Sequence, residues 1–231
     1  MAYTHLFFDL DHTLWDFDAN AKLTLEELYH NLKLRERGVD AFDRFHERYL
    51  YHNEQLWERY RNGFIKQEEL RWKRMWRTLL DFKIGDEVLA REMGRKFVEG
   101  LPTRTRLFPD TLEVLDYLLT KNYKLHMITN GFEEVQHHKL KYSGLSPYFG
   151  QVVTSQGSNS LKPEKEIFEY ALRLTGAAPE NSIMIGDNIE VDIVGAKNAG
   201  MDQVHVNYNG IEASIRATFT VATLRELKEI F

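Results

Sequence analysis

Two aspartates, Asp9 and Asp11, follow directly on the apolar residues Leu6, Phe7 and Phe8, with Thr13 two positions further on. On an extended segment, residues two apart project to the same side, which predicts both carboxylates on one face. Like charges held that close repel unless a cation or a proton compensates them. Mg²⁺ suits such a pair, because it takes hard oxygen ligands and usually keeps several waters. Further polar groups close later apolar runs. Thr129, Asn130 and Gly131 end LHMIT and open onto a helix whose amino terminus can attract a phosphate. Lys162 immediately precedes Pro163, and SIMIG runs into Asp187 and Asn188, with Asp192 one helical turn on. Each has a plain alternative. The aspartate pair could be a solvated strand end, and Thr-Asn-Gly a simple turn. Lys162 could be solvated surface, and Asp187 and Asp192 could cap a helix. Order and placement favour chemistry: acids, hydroxyl, lysine and acids again stand at successive strand ends.

Those groups need a scaffold, and hydropathy periodicity describes one. From Trp15 to about Leu107, apolar residues recur at helical spacing: Leu25, Leu28, Tyr29, Leu32; then Phe42, Phe45, His46, Tyr49. Trp72, Met75, Trp76, Leu79 and Leu80 form a third set and Leu89, Met93, Phe97 and Leu101 a fourth. After Pro109, helices alternate with short apolar strands at 125–129, 151–155, 182–186 and 203–207. GSNS at 157–160 reads as a flexible loop, Pro163 as the first turn of a helix, and Ile193 to Ala199 as another helix. Thr223 and Glu226 make a capping box for the closing helix. Strands separated by helices imply an α/β fold, a Rossmann-like parallel sheet core with helices on both faces. Residues 1–14 and 108–231 would form that core, with 15–107 an inserted helical domain. In such sheets ligands bind beyond the carboxyl ends of the strands, at a topological switch point.

At 231 residues, with 43% hydrophobic, the chain can bury a proper core. A formal net charge of −5 argues against a general nucleic-acid binder, though a small phosphorylated substrate needs only a local positive site. The absence of cysteine excludes disulfides and thiolate chemistry. The start, MAYTHLFFDL, lacks a basic stretch followed by a long apolar one, and no run approaches a membrane span. The expectation is a cytoplasmic protein with no membrane and no evident protein partner.

The chain resembles the haloacid dehalogenase (HAD) superfamily of phosphoryl-transfer hydrolases. DLDHT (9–13), ITNG (128–131), LKP (161–163) and GDNIEVD (186–192) are similar to its four motifs, in order. The helical insertion falls where that family carries a C1 cap, and ITNGFEEVQHHKL followed by SGL resembles the branch acting on pyrimidine nucleoside monophosphates. The resemblance implies Asp9 as nucleophile, forming an aspartyl-phosphate, and Asp11 as general acid and then base. It implies Mg²⁺ on Asp9, Asp187 and the Asp11 backbone carbonyl. Thr129 and the Asn130 backbone would hold phosphate oxygens, and Lys162 would neutralise charge. Thr13, Asn188 and Asp192 would support the site. Sugar-phosphate phosphatases and phosphomutases of the same superfamily share this core, and a phospho-accepting receiver domain combines similar groups without turnover. A dehalogenase leaves Asp11 without a task.

His12 departs from the resemblance, since many family phosphatases carry Gly there; a backbone or cap-facing role is expected rather than metal ligation. His137 and His138 are expected on an exposed helix face. Trp57, Trp72 and Trp76 lie in the insertion, Trp72 and Trp76 on its apolar stripe. Trp15, at its edge, is either a substrate contact or a hinge anchor.

Overall fold

The computed structural model describes residues 3–212 and 215–231. Six parallel strands form one sheet: β1 (His5–Phe8), β2 (Lys124–Thr129), β3 (Gln151–Thr154), β4 (Ser182–Gly186), β5 (Asp202–Val206) and β6 (Phe219–Val221). Their spatial order is β3-β2-β1-β4-β5-β6. The chain leaves β1 towards one edge and resumes beside it at β4, so the switch point lies between β1 and β4. Phe8 is in register with both Met127 and Ile185, which puts Asp9 at the mouth of that crevice. β1 and β4 are buried along their length because both sheet faces are covered. On one face Phe7, Ile128, Val153 and Met184 pack with Ile167 and Phe168 of helix Lys165–Thr175. On the other, Phe8 meets Phe149 edge-on.

The chain divides into two compact units, Met1–Phe17 with Thr105–Phe231, and Asp18–Arg104. Trp15 belongs with the first, since it bridges to Leu107, and Asp16 N–H donates to Arg106 O at 3.1 Å. The second contains most of α1 (Phe17–Asn31) and all of α2 (Phe42–Arg61), α3 (Gln67–Asp81) and α4 (Glu87–Gly100). Its core includes Phe45, Tyr49, Leu56, Met75, Leu79, Met93 and Phe97. α3 and α4 touch at Gly94, where a Cβ would lie 2.7 Å from Arg71 O and 2.9 Å from Trp72 Cα. The stripe expected for Trp72, Trp76 and Leu80 is rotated: α3 buries Leu70, Arg74, Met75, Thr78 and Leu79 instead. Trp72 and Trp76 are only half-buried, and the Arg91 guanidinium stacks over Trp72. Arg74 occupies the stripe because its stem and planar head pack on the Phe97 ring while it donates to Asn53 Oδ1 at 3.0 Å.

Other expectations are also corrected. GSNS is not simply a loop: Ser155–Ser158 form a helical turn, capped where Thr154 Oγ1 accepts from Gly157 N–H at 3.0 Å. Pro163 precedes its helix, following Lys162 through a cis peptide bond. The helix expected from Ile193 begins at Ile189 as one wide turn, because the Asn188 side chain caps Glu190 and Val191. β6 was not foreseen; three residues are too short for a periodicity signal. Among the described residues, no helix is long and apolar enough to cross a membrane.

A pair of histidines is buried at the opposite end of β1 from Asp9. His5 and His126 face each other with ring nitrogens 3.0 Å apart, and burial, then His5 and Lys124, push His126 down to about 4. A depressed histidine contributes stability above its unfolded value of about 6.5, lost as pH falls towards the folded one. His126→Leu should therefore lose its stability deficit relative to wild type as pH drops from about 7 to about 5. Urea denaturation of both proteins across that range checks this; a constant difference would exclude the histidine pair as an acid-sensitive element.

Candidate active site

Asp9 begins the site because β1 ends there: its N–H still donates to Ile185 O at 2.9 Å, while its side chain turns into the crevice. Lys162 Nζ donates to Asp9 Oδ1 and to Asp192 Oδ1, both at 2.6 Å, and is 1% exposed. A buried ammonium is costly unless paired and hydrogen-bonded, and here two carboxylates meet it. Asn130 fixes its position from outside. The Asn130 amide donates to Lys162 O at 2.8 Å and accepts from Lys162 N–H at 2.7 Å, a two-bond clamp on the lysine backbone.

Asp192 reaches back from the wide turn Ile189–Val194 and accepts from Asn188 N–H at 3.1 Å. It folds so tightly over the end of β4 that a Cβ on Gly186 would lie 2.4 Å from its Oδ2. Asp187 accepts from the Thr13 hydroxyl at 3.1 Å. Thr13 O in turn accepts from the Tyr208 hydroxyl at 2.7 Å, and the Asp187 backbone oxygen faces His205 Nε2 at 3.1 Å.

One carboxylate oxygen from each of Asp9, Asp187 and Asp192 lies within 4.8 Å of the others. Three carboxylates against the one ammonium that two of them share leave an excess of two negative charges. Burial first, with Asp192 and Asp187 adding, pushes Asp9 up to about 8 against the pull of Lys162. Burial and then Asp192 push Asp187 up to about 7. Burial opposes the Lys162 ammonium, but Asp192 and Asp9 outweigh it and raise the lysine. All the donor atoms are hard oxygens, a set that fits Mg²⁺. Asp192 already accepts from Lys162 and from Asn188 N–H, so Asp9 and Asp187 have the freer oxygens for a cation.

A second group of residues surrounds Asp11. The segment after Asp9 is not extended as expected: Leu14 and Trp15 N–H both fold back to Leu10 O, turning the chain sharply. His12 stands at the bend with φ 65°, the left-handed region that glycine adopts most readily. Its ring lies 5.1 Å from that of Phe17. Asp11 Oδ1 accepts from Lys139 Nζ at 2.6 Å, and Oδ2 from Gln136 Nε2 at 3.0 Å. The same Gln136 nitrogen donates to Thr129 Oγ1 at 2.6 Å, and Gly131 N–H donates there at 3.1 Å. With its oxygen accepting twice, Thr129 keeps a hydroxyl hydrogen to offer a ligand. Trp15 is fully buried, which leaves it the anchor of the turn rather than a substrate contact.

Gln136 and Lys139 escaped the sequence reading. Both lie on α6 (Glu133–Tyr142, numbered after α5, Thr111–Thr120), whose exposed face does carry His137 and His138. The signal was spacing: polar residues three apart, in phase with Val135 and Leu140, belong to the buried face.

Residues 3–200 match the model of the haloacid dehalogenase-like hydrolases. The chain is 32% identical to pyrimidine 5′-nucleotidase PynA of Streptococcus pneumoniae over 98% of its length and 94% of that protein's. It is 31% identical to pyrimidine 5′-nucleotidase YjjG of Escherichia coli, covering 100% of this chain and 98% of the relative. The crystal structure of the HAD-hydrolase YfnB of Bacillus subtilis, bound to magnesium, superimposes with a TM-score of 0.90 at 26% identity, covering 100% of this chain and 99% of that one.

A carboxyl raised above its unfolded value, as Asp9 and Asp187 are, stabilises the metal-free fold at low pH, and that contribution is lost as pH rises through about 7 to about 8. Tm of the metal-free protein should therefore fall between about pH 6 and pH 8.5, and Mg²⁺ should restore it by an increment that grows with pH. Thermal denaturation with chelator or with Mg²⁺ measures this. An increment that is absent, or flat with pH, would count against a metal centre made of these carboxylates.

Proposed function

Because the chain belongs to the haloacid dehalogenase-like hydrolase family, we propose that it is a Mg²⁺-dependent phosphomonoesterase working through an aspartyl-phosphate on Asp9, with pyrimidine nucleoside 5′-monophosphates as substrates. The observation that carries the reading is the buried Asp9–Lys162–Asp192 assembly beside Asp187 at the switch point of the sheet. The pyrimidine preference is supported by PynA and YjjG, which align with this chain over nearly its whole length.

In this scheme Lys162 fixes one oxygen of Asp9, and the other attacks phosphorus in line with the leaving oxygen. The ester P–O bond breaks as the Asp9–phosphorus bond forms, and Asp11 gives its proton to the leaving alcohol. Asp11 then takes a proton from water, whose oxygen attacks phosphorus and releases Asp9. Lys162 and the Thr129 hydroxyl bind phosphoryl oxygens through both steps, since phosphoryl transfer depends chiefly on positioning and charge neutralisation. Asp9, Asp187 and the Asp11 carbonyl would hold Mg²⁺, which would supply further neutralisation of the phosphoryl charge. Base selectivity is assigned to the inserted helical unit, which carries Trp57, Trp72 and Trp76.

A panel of monoesters assayed for inorganic phosphate tests this. Uridine and thymidine 5′-monophosphates should be hydrolysed with Mg²⁺ better than sugar phosphates, for many turnovers, and not with chelator. Equal activity on sugar phosphates would leave a general phosphatase. Phosphate returned to the organic product would indicate a mutase, and one phosphate per chain a receiver. Asp9→Asn should abolish turnover. Asp11→Asn should cost about 10²–10⁴-fold on nucleotides and less on p-nitrophenyl phosphate, whose leaving group needs no proton. Equal losses on both would remove Asp11 as the leaving-group acid.

A further inference from the structure

The hydrolase reading assigns Asp11 its proton transfers but leaves unexplained why a lysine and a glutamine are buried against it. Lys139 is 2% exposed, although its Asp11 partner is partly open to solvent. Its Nζ also lies 4.3 Å from the centroid of the Trp15 ring and 5.4 Å from that of Phe17, so aromatic faces cover the flank turned from Asp11. Both rings belong to the segment that follows the Asp11 turn, and Trp15 is tied down by Leu10 O and by Leu107. The ammonium is thus wedged between the carboxylate it holds and the segment that continues from it.

Gln136 adds the second constraint. It is fully buried, and its Nε2 spans Asp11 Oδ2 and Thr129 Oγ1, using both amide hydrogens. Turning the amide over would put its oxygen against a carboxylate, so Asp11 itself fixes the orientation. Gly131 keeps the space clear: a Cβ there would lie 2.2 Å from Gln136 Nε2. One helix face therefore grips both oxygens of the proton-transfer group and, through one amide, the hydroxyl assigned to the phosphate.

We propose that Lys139 and Gln136 are positioning residues for the reaction, Lys139 aligning Asp11 with the leaving oxygen and Gln136 locking that alignment to the phosphate anchor Thr129. The proposal rests on the phosphomonoesterase reading above. Neither residue is assigned a contact with the substrate; both act through Asp11, by restricting where its carboxyl can be. Misplacement of about an ångström from productive geometry costs on the order of 10²-fold in rate.

The test compares Lys139→Met, which keeps an unbranched apolar stem on Trp15 but loses the charge, with Lys139→Arg, which keeps a donor. Each is assayed on uridine 5′-monophosphate and on p-nitrophenyl phosphate. Lys139→Met should lose about 10- to 100-fold in kcat on the nucleotide and less than about threefold on the aryl ester, with KM unchanged. Lys139→Arg should recover most of the nucleotide rate. Gln136→Met should lower kcat on the nucleotide and also raise KM for both substrates, because it releases Thr129; it carries the test if Lys139→Met fails to fold. Equal losses on the two esters, or Lys139→Arg no better than Lys139→Met, would overturn the positioning role while leaving the hydrolase reading intact. A wild-type protein releasing phosphate from neither ester would overturn both.

Discussion

A lysine enclosed between two carboxylates sets the terms for the rest of this molecule. Lys162 meets Asp9 from β1 and Asp192 from the turn after β4, and each arrives from a different part of the chain. Taking an ammonium out of water costs several kcal/mol, and losing one partner would leave the others as uncompensated buried charge. The fold spends several local devices on holding it: the Asn130 clamp on the lysine backbone, the bare Cα of Gly186 under Asp192, and the wide turn capped by Asn188. The assembly also creates a demand. Asp187 brings a further carboxylate within 4.8 Å, and burial drives both Asp9 and Asp187 towards the protonated form, a charge problem that a divalent cation would relieve.

The remainder of the site is built on α6 and answers a different problem. Around Lys162 the protein concentrates charge; around Asp11 it controls direction. Gln136 and Lys139 occupy both oxygens of Asp11, while Trp15 closes the turn that carries it. The loop from Asp9 to Trp15 is therefore held on one side by the sheet and on the other by a helix face. Two carboxylates only two residues apart thus sit in different surroundings, Asp9 facing a shared ammonium and Asp11 a lysine and an amide of its own.

Much of this was legible in the sequence, because ligand groups in a parallel sheet gather at strand ends and apolar strands make those ends conspicuous. Asp9, Thr129 and Asp187 stand out as candidates that way, whereas Lys162 lies beyond the helical turn that follows β3 and was legible only from its place before Pro163; the alternation of strands and helices was legible too. The failures are equally physical. An aspartate pair reads as extended, yet His12 adopts a left-handed turn that local spacing cannot reveal. Arg74 lies on the buried stripe of α3, where a hydropathy pattern favours Trp72 and Trp76, because its guanidinium finds an amide oxygen and a ring. Gln136 and Lys139 share the buried phase of Val135 and Leu140, but their partner Asp11 stands more than a hundred residues away in the chain and nothing local names it. Long-range polar pairing carries no periodic signature.

The covalent step proposed for Asp9 can be observed directly. Acid quenching during turnover of uridine 5′-monophosphate with Mg²⁺, followed by borohydride reduction, would convert an aspartyl-phosphate to homoserine. Mass spectrometry of the peptide containing Asp9 then reads the site directly. Homoserine is expected at position 9, dependent on substrate and on Mg²⁺, with Asp11, Asp187 and Asp192 unmodified. An unmodified Asp9 in enzyme quenched while turning over, or the phosphoryl group found on another residue, would contradict a covalent step on Asp9.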